Sequence, residues 1–487
     1  MARFGRGLGE MSEERLLLGT LILGVRRLAW GLPVSVDIAS YAVGARELLQ
    51  GRPLYADVWD MKPPGIFLLM AGWDFLAGMG EAQVWALGVL VALLTCAGVG
   101  LIAWRLGGRG AGIMAALLWA SAGSLRSFNA DQLLPDSLML LGLVWCGAFL
   151  VDRRPWWAGV AGAVAVLTKP TALLLVVASW IVARLGRARL GWAGPEQGME
   201  RGESRPGGAG PGVAGRGLSR AWIEEGAAFC CGLSLPAMAV GAWLWSTGAL
   251  GEAWYACVVY AGWFAGNPWA NLVAGLAPAK LAGPMPLLFG ALLVLGWPEI
   301  TRRPWWWAVL GAAVAVTALP GKWWPHYYLP TLAALVILAA LGAAWHRWRV
   351  LALAGMTCAL LIWQVADFGP MEERLVRHGR VREATCRELG RALAGRSLWS
   401  WGDDQCLYFY AQARPPSGMT WGDHLTYTRP DLRQRHIERI ITSAPEVVVL
   451  NERFWLAPPA TVQEWLARDY EDAGRRGWYR VLTRRES

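Results

Sequence analysis

The chemistry-bearing residues of this chain crowd into one polar island between two apolar regions, VDIASYAVGARELLQGRPLYADVWDMKPPG, from Val36 to Gly65. Asp57, Asp60 and Lys62 fall within six residues, and Pro63-Pro64 removes two backbone donors and stiffens the exit. Asp37 opens the island and has two readings. It stands where a helix N-cap belongs, which needs no further role. It is also a carboxylate able to take a proton from an arriving hydroxyl or amine.

Lysine usage points the same way. Of 46 basic residues only Lys62, Lys169, Lys280 and Lys322 are lysines, and all four fall in loops expected on one side of a membrane. A lysine ammonium is a compact point charge and a common phosphate ligand, so this placement fits an anion held just outside a bilayer. The bland alternative is chance placement of four residues. Lys62 and Lys322 have the strongest context, because each sits beside prolines and aromatics. Between Ser124 and Asp136, SLRSFNADQLLPD offers a second outward acid, Asp131, with Asp136 read as the cap of the following helix. His326 and Tyr327 open a later apolar run, where an interfacial aromatic anchor is the plainer reading.

The elements that must position these groups are membrane helices. With 55% apolar and 17% charged residues over 487 positions, the chain is more apolar than a soluble protein of its size requires. Its 32 tryptophans cluster at the ends of apolar runs, at Trp156-Trp157, Trp305 to Trp307 and Trp323-Trp324, where such rings settle at headgroup depth. Runs able to span fall at 16–34, 82–104, 110–123, 135–151, 156–168, 170–184, 226–246, 283–298, 305–319, 327–344 and 349–367, which predicts about eleven transmembrane helices. Arginines in every second loop mark those loops as cytoplasmic. The loops at 35–81, 124–134, near Lys169, at 247–282 and at 320–326 then face outward, the N-terminus lies inside and the C-terminal part lies outside. The net charge of +10 is accounted for by this topology and by anionic lipid, not by nucleic acid. No cleavable signal peptide is evident.

Within the first outer loop, Ile38, Tyr41, Ala42, Ala45, Leu48 and Leu49 recur at helical spacing, which predicts a short amphipathic helix lying flat in the interface and ending at Gly51. A second interfacial helix is expected over 66–79. The Gly, Pro and Arg mixture at about 186–220 reads as a disordered cytoplasmic linker. After about 367 the composition changes, and apolar runs at 397–401, 446–450 and 478–482 alternate with helical patterns near 430–444 and 460–470, predicting a small α/β domain over 368–487. Cys386 and Cys406 lie in that outward part, where a disulfide is permitted. Cys96, Cys146, Cys230, Cys231 and Cys358 read as small core hydrophobes and show no metal spacing. No Walker loop, dinucleotide fingerprint, HExxH or GxSxG in suitable context is present, so use of a soluble nucleotide is not expected.

Taken together, the aspartate after the first span, Tyr41 four residues on, the L-x-x-G-x-P-L-Y turn and the W-D-M-K-P-P-G segment resemble the first outer loop of GT-C fold membrane glycosyltransferases. The resemblance is to bacterial members of the protein-mannosyltransferase and aminoarabinose-transferase group, and N-A-D-Q at Asp131, L-T-K-P at Lys169 and H-Y-Y-L-P at His326 extend it over residues 1–367. It implies a mainly α polytopic fold and an inverting transfer of sugar from a polyprenyl-phosphate donor to a glycan, lipid or protein acceptor on the outer face of the cytoplasmic membrane. Asp37 would be the catalytic base and Lys62 the donor-phosphate ligand, with Lys322 or Lys280 assisting. Asp131, Tyr41, Asp60 and His326 would orient sugar or acceptor. No cofactor is implied: where some relatives place a glutamate before the lysine, this chain has Met61, which weighs against a bound divalent metal. The rival class is a multi-pass transporter or flippase for a lipid-linked or small anionic substrate, whose marks would be internal symmetry and midplane polar residues.

Overall fold

The computed structural model describes residues 31–125, 128, 132–190, 211–275, 285–343, 346–366, 370–377, 379–402, 404–418 and 429–486. Long apolar runs dictate its main body. Helices α3 (Glu81–Gly107), α4 (Arg109–Ala122), α5 (Pro135–Val151), α6 (Pro155–Thr168), α7 (Ala172–Leu190) and α8 (Pro211–Ser246) follow the expected spans closely. So do α12 (Met285–Arg302), α13 (Trp306–Ala318), α14 (Leu329–Ala343) and α15 (Arg347–Ala366), after short helices α9 (Leu250–Trp254), α10 (Ala261–Ala265) and α11 (Pro268–Gly275). Glu81–Gly107, Trp222–Ser246 and Pro325–Ala343 are each long and apolar enough to cross a membrane, and shorter apolar helices pack beside them. The molecule is a multi-pass membrane protein. Most of the first expected span lies outside the described residues, and residues 31–34 at its end are non-helical. Helices α7 and α8 run to Leu190 and from Pro211, into both ends of the segment expected to be a linker.

Two helices occupy the stretch expected to form the first outer loop, α1 (Val36–Leu49) and α2 (Gly65–Ala77). Here the structure corrects two readings. Ser35, not Asp37, caps α1: Ser35 has an extended backbone and its hydroxyl accepts the Ile38 N–H at 3.3 Å. The helix ends as expected, with Gly51 in the left-handed region at φ +84°. Nor does α1 keep the exposed polar face expected of an amphipathic helix. Residues 38–45 are buried all round the helix, because Ala39, Ala42, Gly44 and Ala45 let neighbours approach from every side. A Cβ on Gly44 would stand 2.8 Å from the Phe67 ring of α2. By contrast α2 leaves Phe75 and Leu76 exposed at its far end.

The cover over α1 comes from the C-terminal part of the chain. Beyond α16 (Met371–Arg377) and α17 (Val381–Ala392) lie β1 (Leu398–Trp401), α18 (Gln405–Ala411), α19 (Pro430–Ser443), β2 (Val447–Asn451), α20 (Ala460–Asp469), β3 (Tyr470–Arg476) and β4 (Tyr479–Arg484). The strands form one sheet in the order β1-β2-β4-β3, with β1 and β2 parallel and the rest antiparallel. Cys386 of α17 and Cys406 of α18 form a disulfide, their Cα atoms 5.8 Å apart. One continuous apolar core joins Tyr41, Ala42 and Ala45 of α1 to Leu389, Leu407 and Tyr410. Helix α1 is thus sandwiched between bundle and C-terminal unit.

Candidate active site

The turn after α1 is held by its own polar groups. Tyr55 adopts φ +72°, and its hydroxyl donates to the Lys62 carbonyl at 2.7 Å, folding the chain back on itself. Asp60 is buried; one carboxylate oxygen accepts the Lys62 N–H at 2.9 Å and the other accepts the Ser40 hydroxyl at 3.3 Å. Asp60 therefore fastens the lysine turn to α1. The turn's exit is close-packed: a Cβ on Gly65 would lie 2.7 Å from Thr168 Oγ1 at the end of α6.

This folding brings Asp37 and Lys62 to the wall of a single cavity of about 310 Å³. Tyr41, Asp60, Asp136, Lys169, Phe264, His326 and Tyr327 line it too. Neither the Asp37 carboxylate nor the Lys62 ammonium hydrogen-bonds or ion-pairs with another described residue, and each is partly exposed to the cavity. An uncommitted acid and an uncommitted cation lining one pocket can accept a proton and hold an anion. Tyr41 is buried, packed edge-on against Phe67 at 5.7 Å. Burial, with the nearby Asp37 and Asp60, pushes its phenol well above the ordinary range, so it remains a hydrogen-bond donor.

A second charged group, expected only as a helix cap, lines the same cavity. Leu134 is the N-cap of α5, and Asp136 sits in its first turn, buried in the cavity wall. Its carboxylate takes a hydrogen-bonded ion pair from Lys169 Nζ at 2.7 Å, and His326 Nε2 lies 3.7 Å from its other oxygen. The Lys169 ammonium also sits 3.4 Å over the Tyr327 ring. Burial draws Lys169 below the ordinary lysine range while Asp136 opposes that shift. The cavity wall therefore carries a clustered set, Asp136, Lys169 and His326, as well as the uncommitted Asp37 and Lys62. The signals for it were the L-T-K-P and H-Y-Y-L-P segments together with Pro135-Asp136.

Of the other expected residues, Lys322 is not in the cavity lining, but its ammonium sits 4.1 Å over the ring of Phe264, which is. Asp57 is turned away and pairs with Arg439 at 3.4 Å. Asp131 and Lys280 lie outside the described residues. Among the described residues no three His, Cys, Asp or Glu side chains come together as a metal site.

No family model matches this sequence. No curated protein matches it either. Solved structures do. The crystal structure of ArnT from Cupriavidus metallidurans bound to undecaprenyl phosphate matches with a TM-score of 0.60 at 17% identity, covering 97% of this chain and 98% of that one. The apo form of the same protein matches with a TM-score of 0.58 at 17% identity, over 96% and 97%. The Archaeoglobus fulgidus oligosaccharyltransferase tethered with an acceptor peptide follows, with a TM-score of 0.48 and 12% identity over 90% of this chain and 68% of that one. From α1 to the last strand, this chain has the GT-C fold of ArnT, the fold that the motifs around α1 resemble.

Proposed function

We propose that the protein is an inverting glycosyltransferase that moves a sugar from a polyprenyl-phosphate donor to an acceptor on the outer face of the cytoplasmic membrane. The observation that carries this reading is the convergence of Asp37 and Lys62, both uncommitted among the described residues, on one cavity above an apolar bundle. Undecaprenyl phosphate in the fold neighbour supports the donor class. In the reaction, Asp37 takes the proton from the acceptor O–H or N–H as that atom bonds to the anomeric carbon. The anomeric C–O bond breaks on the opposite face, and the electron pair leaves with the lipid phosphate, whose growing charge Lys62 stabilises. One displacement gives inversion.

Asp60 holds the lysine turn, Tyr41 and His326 are within reach of a sugar in the cavity, and the Asp136–Lys169 pair fixes part of its wall. Lys322 and Lys280 assist at the phosphate, and Asp131 orients sugar or acceptor. The arginine-rich loops expected inside support an outer-face position for this cavity, and the Cys386–Cys406 disulfide favours an oxidising compartment for the C-terminal unit. The transferred group is a hexose or pentose and the acceptor a glycan, lipid or protein. Mass spectrometry of lipid extracts from cells lacking the gene tests the reading. An accumulated polyprenyl-phosphate sugar is the expected result; an unchanged lipid pool, with solute movement in vesicles carrying the purified protein, would replace transfer by transport.

A further inference from the structure

We propose that Tyr410, 373 positions after Asp37 in the C-terminal unit, is a positioning residue that sets the first turn of α1 and with it the Asp37 carboxylate. This rests on the reading of Asp37 given above and adds a role for the C-terminal unit, that of a brace for the catalytic turn.

The geometry is specific. Val34 lies just ahead of the Ser35 cap, is buried, and so needs a partner for its backbone N–H. The Tyr410 hydroxyl accepts that N–H at 2.8 Å. The same hydroxyl donates to Glu81 Oε1 at 2.6 Å, in the first turn of α3, the first long apolar helix of the described chain. One oxygen thus ties the entry of α1 to the bundle. Burial and the neighbouring carboxylate push the Tyr410 phenol above its ordinary value, which keeps the proton that the bond to Glu81 requires. Glu81 is itself fixed by Arg391 at 2.6 Å and Arg387 at 3.5 Å, and Arg387 also donates to the Gly31 carbonyl at 3.0 Å. Both arginines belong to α17, and the Cys386–Cys406 disulfide ties α17 to the helix that carries Tyr410.

The far end of α1 is held by other groups. Arg46 donates to the Ala413 carbonyl at 2.5 Å, and Arg414 pairs with the buried Glu47 at 3.0 Å. Lys62 is placed by Tyr55 and Asp60. Removing the Tyr410 hydroxyl should therefore release the turn bearing Asp37 and leave the phosphate ligand in place.

The test uses the full chain in detergent, with Tyr410→Phe against wild type. Three quantities are read: sugar transfer from the polyprenyl-phosphate sugars of a membrane extract at saturating donor, affinity for undecaprenyl phosphate, and amide exchange along α1. A hydrogen bond to a charged group is worth about tenfold or more in an equilibrium. Turnover should fall about tenfold, undecaprenyl phosphate affinity should hold within about twofold, and exchange should speed about tenfold over 34–40 but not over 46–49. Glu81→Gln, which keeps an acceptor for the tyrosine, should stay near wild type; Glu81→Leu should copy Tyr410→Phe and supplies the test if that variant fails to fold. Unchanged exchange in both Tyr410→Phe and Glu81→Leu overturns the proposal, as does faster exchange with unchanged turnover, or an equal loss of lipid affinity. A wild-type protein that transfers no sugar would sink the proposed reaction instead, while the exchange arm still decides whether Tyr410 holds the turn.

Discussion

Replacing Lys169 by methionine should destabilise the protein strongly, and removing Asp136 as well should restore much of the loss. The pair stands at 2.7 Å with side chains 15% and 4% exposed. At an effective dielectric near 20 its attraction is roughly 6 kcal/mol, most of it offset by the cost of drying both charges. Lys169→Met leaves that cost on Asp136 without its return, for which buried pairs lose about 3–5 kcal/mol. His326 Nε2, 3.7 Å away, is beyond hydrogen-bond distance of the carboxylate and does not replace the ammonium, so a loss of about 3–5 kcal/mol is expected. Asp136→Asn alone strands the lysine and should cost about as much, eased by the Tyr327 face beneath it, worth roughly 1–2 kcal/mol. The double variant buries no unpaired charge and should sit above both singles, with a coupling of at least about 1.5 kcal/mol. Tryptophan-detected unfolding of the four proteins in one detergent gives the ordering. Singles within about 0.5 kcal/mol of wild type, or a strictly additive double, would show that the pair does not secure the cavity wall.

Lys62→Ala should weaken undecaprenyl phosphate binding by about tenfold or more while leaving the unfolding midpoint almost unmoved, because its ammonium pairs with no described residue; titration calorimetry and thermal unfolding check the two halves. Acid should loosen the C-terminal unit through His436, buried on α19, whose pKa burial and then Arg439 push down to about 3. The unfolded chain binds a proton near the ordinary value that the folded chain refuses, so stability is full above about pH 6.5 and falls on acidification toward pH 3. Between pH 7 and 5 the loss is about 2 kcal/mol, and His436→Gln should flatten the pH dependence of unfolding by that amount.

The bundle was legible because each of its helices is an apolar run closed by arginine, proline or glycine; the expected 135–151 coincides with α5, and 82–104 sits inside Glu81–Gly107. The strands at Leu398–Trp401 and Val447–Asn451 were legible for the same reason, being buried on both faces. Strand β3 was not. Tyr470–Arg476 is exposed at all but its first residue and owes its strand to pairing with β4 across the turn at Gly477. The burial of α1 was hidden because its cover arrives more than 350 residues later, and a local hydrophobic pattern carries no information about that. Reading Asp37 and Lys62 as partners needed only the short loop containing both. Asp136, Lys169 and His326 come from the start of a span, a tight turn and a 3₁₀ segment, so each looked locally satisfied as cap, turn or anchor, and only the bundle's closure brings them together.

The central claim is that Asp37 performs chemistry and is not a structural acid; since Ser35 caps the helix, the carboxylate can be neutralised without touching the fold. Sugar transfer from polyprenyl-phosphate donors by Asp37→Asn, measured beside its undecaprenyl phosphate affinity and unfolding midpoint, tests this most directly. Transfer should fall by at least about a hundredfold, the scale of a lost general base, with affinity and midpoint held. An Asp37→Asn protein that transfers sugar at the wild-type rate would contradict it.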